Sequence, residues 1–342
     1  MRKLRKILWP FSLLYGLIVK IRNFFYDKGI FRSVSFDIPV ICVGNLSVGG
    51  TGKTPMVEYL VRLLTPHFYM ATLSRGYKRK SKGFVLAGPE TGVEDLGDEP
   101  CQYHEKFRSV AVAVDTDRVS GIRNLLALQP PPDAVILDDA FQHRRVKAGL
   151  NIMLTAWNAL YVKDIFLPAG NLRDSRKEAR RANIIIVTKC PEDLSTEQKH
   201  TVLELLAPEK HQHVFFTTIA YHEQIASLEQ TARLSDWTKH RFTLVTGIAN
   251  AHPLVEFLKG RGMDFEHCNF PDHHDFTENE LKALRKKKNI LTTEKDFMRL
   301  KDKIEGIFYI EIQPVFLFGE QETFDRLVRH YVKENQKAQA SV

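Results

Sequence analysis

Residues 40–55 read Val-Ile-Cys-Val-Gly-Asn-Leu-Ser-Val-Gly-Gly-Thr-Gly-Lys-Thr-Pro, and they give the strongest indication of the fold. Its β-branched start predicts a buried strand, and the helical pattern after Pro55 predicts a helix, so the glycine-rich segment joins a strand to a helix. Glycines let backbone N–H groups approach a polyphosphate, and a helix N-terminus adds partial positive charge at the same place. The alternative is a glycine-rich turn beside a chance Lys-Thr pair, but this strand–helix context favours a phosphate loop.

The phosphate-loop interpretation gives each polar residue a role. Lys53 would reach the β- and γ-phosphates, and the Thr54 hydroxyl would bind Mg²⁺. The strict pattern begins with glycine, where this chain has Ser47, but the loop keeps three other glycines. We therefore expect a nucleoside triphosphate to be bound by the following residues: Gly49, Gly50, Thr51, Gly52, Lys53, Thr54 and Pro55.

The composition is that of a globular protein able to bury a full core, with 342 residues, 44% hydrophobic and 26% charged. Its four cysteines form no C-x-x-C pair, which excludes common metal and redox motifs and fits a reducing compartment. The net charge of +8 is uneven, because residues 1–32 carry eight Lys and Arg against one Asp. Nucleic-acid-binding proteins more often spread basic residues over the folded body, so we expect no nucleic-acid partner.

This basic N-terminus surrounds an uncharged stretch, residues 7–19. The stretch is too short to cross a bilayer, which takes roughly 18–20 residues, and the charged sequence from Lys20 is wrong for signal cleavage. We expect an amphipathic helix lying in a membrane interface, with aromatic anchors such as Trp9 and Phe24. The alternative is a helix packed on the protein's own core with its basic residues solvated. In either case we expect the chain to stay on the cytoplasmic side.

A second strong element is an apolar strand that ends in acid. Residues 133–143 read Asp-Ala-Val-Ile-Leu-Asp-Asp-Ala-Phe-Gln-His. A carboxylate at such a strand end can hold Mg²⁺ opposite the Thr54 hydroxyl, as in a Walker B element. The pattern is weak alone, because many parallel strands end in Asp, but it gains weight downstream of a phosphate loop. Asp138 and Asp139 would point to different sides of a continuing strand, so we expect them to differ in role.

Basic residues follow several predicted strands, at the sheet edge where α/β folds bind ligands. Arg75 opens a run that is either an anion-binding or a merely solvated loop. Arg118 is a candidate phosphate clamp, with a surface ion pair as the alternative. Arg173 could bind a substrate phosphate bidentately or take part in helix capping. We expect substrate-binding side chains at Arg75, Arg118, Asn171 and Arg173.

Two further acidic motifs have open roles. Asp98 and Glu99 precede a proline, so they either cap a helix or, in a phosphate-loop protein, supply a metal ligand or general base. Residues 272–275 read Asp-His-His-Asp, but four adjacent donors cannot converge on one transition metal. A histidine that tunes or relays a proton from a catalytic carboxylate is the better interpretation, and a solvent-exposed capping turn is the alternative.

Five motifs occur in order along the chain, at residues 44–55, 73–77, 97–100, 138–143 and 270–273. Together they closely resemble the tetraacyldisaccharide 4'-kinases, the lipid A 4'-kinases of Gram-negative bacteria. The resemblance covers nearly the whole chain, including the apolar basic N-terminus. It implies transfer of the ATP γ-phosphoryl group to the 4'-hydroxyl of a tetraacylated, 1-phosphorylated glucosamine disaccharide, at the cytoplasmic face of the inner membrane.

The resemblance also implies site roles. Asp98 would be the catalytic base, assisted by His273, while Lys53 would neutralise charge on the phosphoryl oxygens. Magnesium ligands would come from Thr54, Glu99, Asp138 and Asp139. A base on one domain and its partner on the other would couple the chemistry to domain closure.

We therefore predict an α/β fold with a mostly parallel P-loop NTPase-type sheet flanked by helices, a smaller C-terminal α/β domain and an N-terminal amphipathic membrane-surface helix. The predicted units are the helix at 1–34, the kinase core at 35–210, the smaller domain with His273 at 211–334 and a polar tail at 335–342. The predicted partners are the lipid substrate and a membrane surface, and we expect a monomer.

Two other functions compete with a lipid kinase. A membrane-recruited P-loop ATPase switch would use water as the attacking group, and it would need a positioned water rather than the Asp98/His273 combination. A non-catalytic anion-binding module would not explain why the phosphate loop occurs together with the acidic strand end at Asp138. Both comparisons favour the kinase.

Overall fold

One sheet organises the chain, and the computed structural model describes residues 5–272 and 274–340. Its first strands are β1 (Val40–Asn45), β2 (Met70–Ser74), β3 (Val85–Leu86), β4 (Ala111–Val114), β5 (Ala134–Asp138), β6 (Leu150–Ala156) and β7 (Ile184–Thr188). The later strands are β8 (His213–Ala226), β9 (Thr231–Arg233), β10 (Phe242–Thr246), β11 (Phe265–Asn269), β12 (Ile290–Thr293) and β13 (Phe308–Phe316).

Helices cover this sheet. They are α1 (Trp9–Asp27), α2 (Lys53–Leu64), α3 (Val93–Leu96), α4 (Asp98–Lys106), α5 (Arg118–Leu126), α6 (Thr196–Leu206), α7 (His252–Gly260), α8 (Glu278–Arg285), α9 (Glu294–Leu300) and α10 (Gln321–Ala340). Within the described part of the chain, no helix is both long and apolar enough to cross a membrane.

Residues 40–216, here called the N-terminal unit, form a mostly parallel sheet in the order β3-β4-β2-β5-β1-β6-β7-β8, with only β3 antiparallel to its neighbour. Every residue of β1, β2, β4, β5 and β7 is buried. Helices cover both faces of such sheets, which explains these continuous apolar runs. The predicted P-loop NTPase-type sheet is confirmed.

Residues 217–316, here called the C-terminal unit, continue the same sheet. Strand β8 pairs with β7 over its first four residues, and from Thr217 onward it pairs antiparallel with β13. Beyond β13 lie β12, β10 and β11, all parallel. The boundary expected at residue 211 lies just before β8, the one strand shared by the two units among the described residues.

The last helix returns to the N-terminal unit. Phe324, Val328 and Val332 of α10 are fully buried in the same core layer as Leu60 of α2. Residues 321–334, assigned from the sequence to the smaller domain, therefore pack on the kinase core. Residues 335–340 of the expected polar tail continue α10.

Candidate active site

The phosphate loop connects β1 to α2 as the sequence predicts. Gly52 has a φ of 83°, in the left-handed region that favours glycine, and α2 begins at Lys53. Two neighbours hold Thr51 in place: the Asn45 Nδ2 donates to its Oγ1 at 2.8 Å, and the Thr188 Oγ1 donates to its carbonyl at 2.8 Å. The loop is therefore fixed by the carboxyl ends of β1 and β7.

A second loop runs antiparallel beside the phosphate loop. The Val48 N–H donates to the Asn171 carbonyl at 2.8 Å, and the Arg173 N–H donates to the Leu46 carbonyl at 2.7 Å. This pairing brings Arg173 to the end of β1, whereas the Asn171 Oδ1 accepts a hydrogen bond from Arg5 at 3.0 Å. Of these two predicted substrate ligands, Asn171 therefore contacts the N-terminal segment and Arg173 faces the nucleotide site.

The two adjacent aspartates end β5 in different environments. Burial, together with the nearby carboxylates of Asp139 and Glu99, raises the pKa of Asp138 to about 7. Burial opposes ionisation of Asp139 too, but hydrogen bonds from Arg173 and the charge of Lys53 lower its pKa to about 2. Asp139 also turns out of the strand, with a φ of 47°. The two aspartates therefore differ in ionisation and in backbone conformation, whereas a difference in their roles stays a prediction.

Asp139 is the centre of a charged group. Its carboxylate accepts two hydrogen bonds from Arg173, at 3.0 and 2.6 Å, and its Oδ1 lies 3.7 Å from the Lys53 Nζ. Arg173 also donates to the Asn45 side chain. In this structure, the predicted substrate clamp Arg173 is thus engaged by a predicted metal ligand.

Tyr103 of α4 connects the other predicted metal ligands. Its hydroxyl donates to the Asp138 Oδ2 at 3.3 Å and makes a hydrogen bond with the Thr54 side chain. Burial raises the pKa of Tyr103 well above its ordinary value, and the nearby carboxylates of Asp138 and Glu99 raise it further. Ser74 at the end of β2 also donates to Asp138 at 3.3 Å. The structure therefore brings Thr54, Glu99 and Asp138 together around one buried phenol.

Asp98 is the first residue of α4 and lies at the same edge. The preceding Gly97 has a φ of 87°, and a Cβ there would lie 2.7 Å from the Tyr77 carbonyl oxygen. Only glycine allows this close approach, which packs the Arg75–Tyr77 loop against the start of α4. Both carboxylate oxygens of Asp98 accept hydrogen bonds from Arg299 of the C-terminal unit.

Arg118 and Arg75 form a basic side of the site. Arg118 is 3% exposed and donates to the carbonyls of Asp115 and Thr116, both at 3.2 Å. Its Nε has no hydrogen-bond partner among the described residues. Burial lowers the pKa of Arg118, and the charge of nearby Arg75 lowers it further, whereas Asp138 and Asp139 oppose the shift. Arg75 also lines an open cavity of about 590 Å³. Arg118 therefore lies near both aspartates and near Arg75.

One predicted catalytic residue, His273, lies outside the described residues. Its neighbour Asp272 pairs with Lys295 of α9 at 3.1 Å. The same helix carries Arg299, which contacts Asp98.

Comparisons with known proteins agree with this geometry. A family model described as LpxK, tetraacyldisaccharide-1-P 4'-kinase, matches residues 4–333. A tetraacyldisaccharide 4'-kinase of Flavobacterium johnsoniae is 49% identical over 340 residues, covering 98% of this chain and 99% of that protein. This chain belongs to the tetraacyldisaccharide 4'-kinase family.

Other members support the assignment. The tetraacyldisaccharide 4'-kinase of Bacteroides thetaiotaomicron is 41% identical and covers 97% of this chain and 94% of that protein. A crystal structure of LpxK from Aquifex aeolicus in complex with ATP has a TM-score of 0.77 at 33% identity, covering 96% of this chain and 99% of that chain. The resemblance seen in the five motifs is confirmed, and the chain is an ATP-dependent kinase of lipid A biosynthesis.

Several residues at this site carry no signal in the sequence. None of the five motifs contains Tyr103, Thr188 or Arg299. Arg299 is 201 residues away in sequence from Asp98, which it contacts. Gln142 lies inside a recognised motif, and its Nε2 donates to the Asn45 carbonyl at 2.6 Å. No local spacing signals such contacts, because they depend on how distant strands are ordered in the sheet.

Proposed function

We propose that this chain transfers the γ-phosphoryl group of ATP to the 4'-hydroxyl of a tetraacylated glucosamine disaccharide 1-phosphate. In this proposal, Asp98 is the general base, and the chain works at the cytoplasmic face of the inner membrane as a monomer. The observation that carries it is the convergence of the phosphate loop, the Asp138-Asp139 strand end and Asp98 at one sheet edge.

The nucleotide would lie on the phosphate loop. Gly52 turns the chain into α2, so the first N–H groups of this helix point toward the loop, where a polyphosphate is favourable. Lys53 lies at the same place, and its ammonium would neutralise charge on the transferred phosphoryl oxygens. The related LpxK from Aquifex aeolicus was crystallised with ATP, which supports ATP as the donor.

The acidic residues fit a magnesium ion. Mg²⁺ prefers oxygen ligands, and the edge offers carboxylates of Glu99, Asp138 and Asp139 with the Thr54 hydroxyl. The raised pKa of Asp138, caused by burial beside two other carboxylates, reflects negative charge that a divalent cation would offset. When bound there, Mg²⁺ would neutralise phosphate oxygens.

Asp98 would take the proton of the acceptor hydroxyl. It lies at the start of α4, whose Tyr103 reaches Asp138, so one helix spans the proposed base and the proposed metal ligands. A sugar hydroxyl is a weak nucleophile, and a carboxylate within hydrogen-bond reach activates it. His273 remains the predicted assistant of Asp98. Arg75, Arg118, Asn171 and Arg173 remain the predicted ligands of the acceptor.

The α1 helix presents an apolar face to solvent. The exposed fractions of its large apolar side chains on this face range from 46% at Ile21 to 63% at Phe11. These side chains are Trp9, Phe11, Leu13, Leu14, Leu17, Ile18, Ile21 and Phe24. A continuous apolar surface rimmed by basic residues fits a helix lying in a membrane interface.

The opposite side of α1 docks on the loop beside the active site. The Tyr15 hydroxyl donates to the Arg173 carbonyl at 2.9 Å, and the Asn23 Nδ2 donates to the fully buried Asp174 at 2.6 Å. Gly16 lies so close to Phe166 that a Cβ would approach its ring to 2.6 Å. A membrane-bound α1 would thus hold the phosphoryl-transfer site beside the lipid surface.

A direct assay tests the proposal. The protein is incubated with γ-labelled ATP, Mg²⁺ and detergent-dispersed tetraacyldisaccharide 1-phosphate, and label is followed into the organic phase. We expect labelled lipid with the wild type and almost none with Lys53→Ala. Label released only as inorganic phosphate, at a rate indifferent to added lipid, would instead establish the ATPase switch.

A further inference from the structure

We infer that Arg299 is a positioning residue that holds Asp98 at the catalytic edge from the C-terminal unit. The inference rests on the proposed function, since it takes Asp98 as the base. These residues are 201 positions apart, so only the folded chain brings them into contact.

The contact has two points. The Arg299 Nε donates to the Asp98 Oδ1 at 3.2 Å, and a terminal nitrogen of the guanidinium donates to the Oδ2. The two side chains are only 9% and 11% exposed. A planar guanidinium that contacts both oxygens fixes the orientation of a carboxylate as well as its position.

Arg299 is itself held by α9. Asp296, one turn earlier, is fully buried and accepts hydrogen bonds from the Gly247 N–H at 2.8 Å and the Thr293 hydroxyl at 2.7 Å. Its Oδ1 lies 3.9 Å from the Arg299 guanidinium. The guanidinium therefore lies between two carboxylates, one on each unit, and its helix is anchored to the end of β10.

Two more polar contacts join α9 to α4. Lys106 at the end of α4 donates a hydrogen bond to Glu294, and Lys301, directly after α9, forms an ion pair with Glu105 at 2.8 Å. These contacts fix the helix that carries Arg299 without touching Asp98. They supply a matched control, because loss of the Lys301 pair weakens the same interface away from the proposed base.

Alignment of the base matters in this reaction. The hydroxyl proton moves to a carboxylate oxygen of Asp98, the hydroxyl oxygen bonds to the γ-phosphorus, and the bond to the β–γ bridging oxygen breaks to release ADP. Phosphoryl transfer depends mainly on positioning and charge stabilisation. A carboxylate has about four lone-pair sites, so a two-point contact leaves acceptor capacity on both oxygens.

The same helix also reaches the loop that leads to the predicted partner of the base. Lys295 of α9 pairs with Asp272, directly before His273. A single short helix therefore contacts both Asp98 and this loop. The geometry makes α9 the element that sets their separation.

Steady-state kinetics with ATP and the lipid acceptor test this role. We expect Arg299→Ala to lower kcat by about 100-fold, with the KM for ATP changed by less than about two-fold, because Asp98 is misplaced while the phosphate loop is intact. Arg299→Lys keeps the charge but loses the planar fork, so we expect partial rescue. Lys301→Ala, the control, keeps kcat near that of the wild type.

A double variant separates positioning from a general structural effect. In an Asp98→Asn background, Arg299→Ala should cause almost no further loss of kcat, since the two residues act as a unit. Circular dichroism and ATP affinity verify folding. If Arg299→Ala does not fold, Arg299→Lys carries the test, with a loss of about 10-fold expected.

Unchanged kcat in a folded Arg299→Ala, or in Arg299→Lys when only that variant folds, would overturn the inference, as would an equal loss in Lys301→Ala. A full additional loss in the Asp98→Asn background would also overturn it. A wild type that phosphorylates no lipid would remove the proposed function itself, and the inference with it. An active wild type beside an unaffected Arg299 variant would remove the inference alone.

Discussion

Two charged clusters of this chain contain similar residues but differ in solvent exposure and in how fully their charges are paired within the protein. The nucleotide-edge cluster consists of Lys53, Asp138, Asp139 and Arg173, at the carboxyl ends of β1 and β5. It is partly open, since the side chains of Lys53 and Asp139 are 19% and 37% exposed. A ligand can therefore complete its charge pairing.

The inter-unit cluster consists of Glu58, Lys106, Glu294 and Glu311, and it joins α2 and α4 to α9 and β13. Lys106 contacts all three carboxylates, and its side chain is 11% exposed while that of Glu58 is 1% exposed. Arg62 approaches Glu58 and Glu311 from the rim, at 3.4 and 3.0 Å. The charges of this cluster are paired with one another within the protein, so we call it the closed cluster and the nucleotide-edge cluster the open cluster.

This contrast predicts which property of the protein a substitution in each cluster changes. A partly exposed charged group that a ligand can pair with contributes to binding and catalysis. A charged group that is buried and paired with other residues of the protein contributes to the stability of the fold. The two faces of α1 differ in the same respect. One face is buried against the protein, whereas the apolar face is exposed to solvent. The buried residues are Ser12, Gly16, Val19 and Asn23.

The largest effect is expected in the closed cluster. Lys106→Ala removes the cation shared by the buried Glu58 and Glu294 and the partly exposed Glu311, so we expect the free energy of unfolding to fall by about 3–5 kcal/mol. Urea unfolding followed by circular dichroism measures this change. The control is Lys80→Ala, which breaks an exposed pair with Glu94 and should cost less than about 1 kcal/mol. Equal effects of the two substitutions would contradict the distinction.

The open cluster should show the reverse pattern. Lys53→Ala removes the cation that faces the transferred phosphoryl group, so we expect kcat to fall by about 10²- to 10³-fold. Its urea midpoint should stay close to that of the wild type, because the ammonium lies 3.7 Å from Asp139 and is partly solvated. A large loss of stability without a loss of transfer would show that Lys53 belongs with the closed cluster.

The exposed apolar face of α1, like the open cluster, is a surface that a ligand can cover, here a membrane. Phe11, Leu14 and Ile18 are 63%, 57% and 59% exposed and lie on neighbouring turns. Replacing all three by Ser should weaken binding to anionic vesicles by about 30-fold, because each loses part of its apolar transfer free energy. Vesicle flotation measures the effect, and Leu228→Ser, at an exposed site of the C-terminal unit, is the control. Unchanged flotation of the triple variant would place the membrane contact elsewhere.

The smallest effect, about 1 kcal/mol for each pH unit, concerns the pH dependence of stability. Burial, and then the neighbouring Glu58 and Glu311, raise the pKa of Glu294 from its ordinary 4.5 to about 8, although Lys106 opposes the shift and Arg62 lies at the rim. The folded protein therefore holds this proton more tightly than the unfolded chain does. The resulting stabilisation is complete below about pH 4.5 and is lost as the pH rises to about 8.

Glu294→Gln removes that titration. Between pH 5 and 8, we expect the free energy of unfolding of the wild type to fall relative to this variant by about 1 kcal/mol per pH unit. Urea titrations at several pH values measure the difference, with Glu94→Gln at an exposed ion pair as the control. Parallel curves for the wild type and Glu294→Gln would show that Glu294 is ionised throughout this range.

Local motifs predicted the strand, loop and helix around Gly52 and the strand that ends at Asp138, since each of these lies within one short segment. A difference between Asp138 and Asp139 could be expected from the sequence. Which of the two has the raised pKa could not, because this depends on Arg173, 34 residues from Asp139, and on burial among other strands. The contact of Arg299 with Asp98 and the return of α10 to α2 depend on tertiary packing. No periodicity in the sequence encodes these contacts.

The most direct test of the account compares Asp98→Asn with the wild type. The measurements are phosphate transfer to tetraacyldisaccharide 1-phosphate, the position of the new phosphate on the sugar, and the affinity for ATP. We predict that the wild type phosphorylates the 4'-hydroxyl and that Asp98→Asn loses about 10²- to 10⁴-fold in kcat while binding ATP nearly as well. Undiminished transfer by Asp98→Asn, or phosphate at another position, would contradict it.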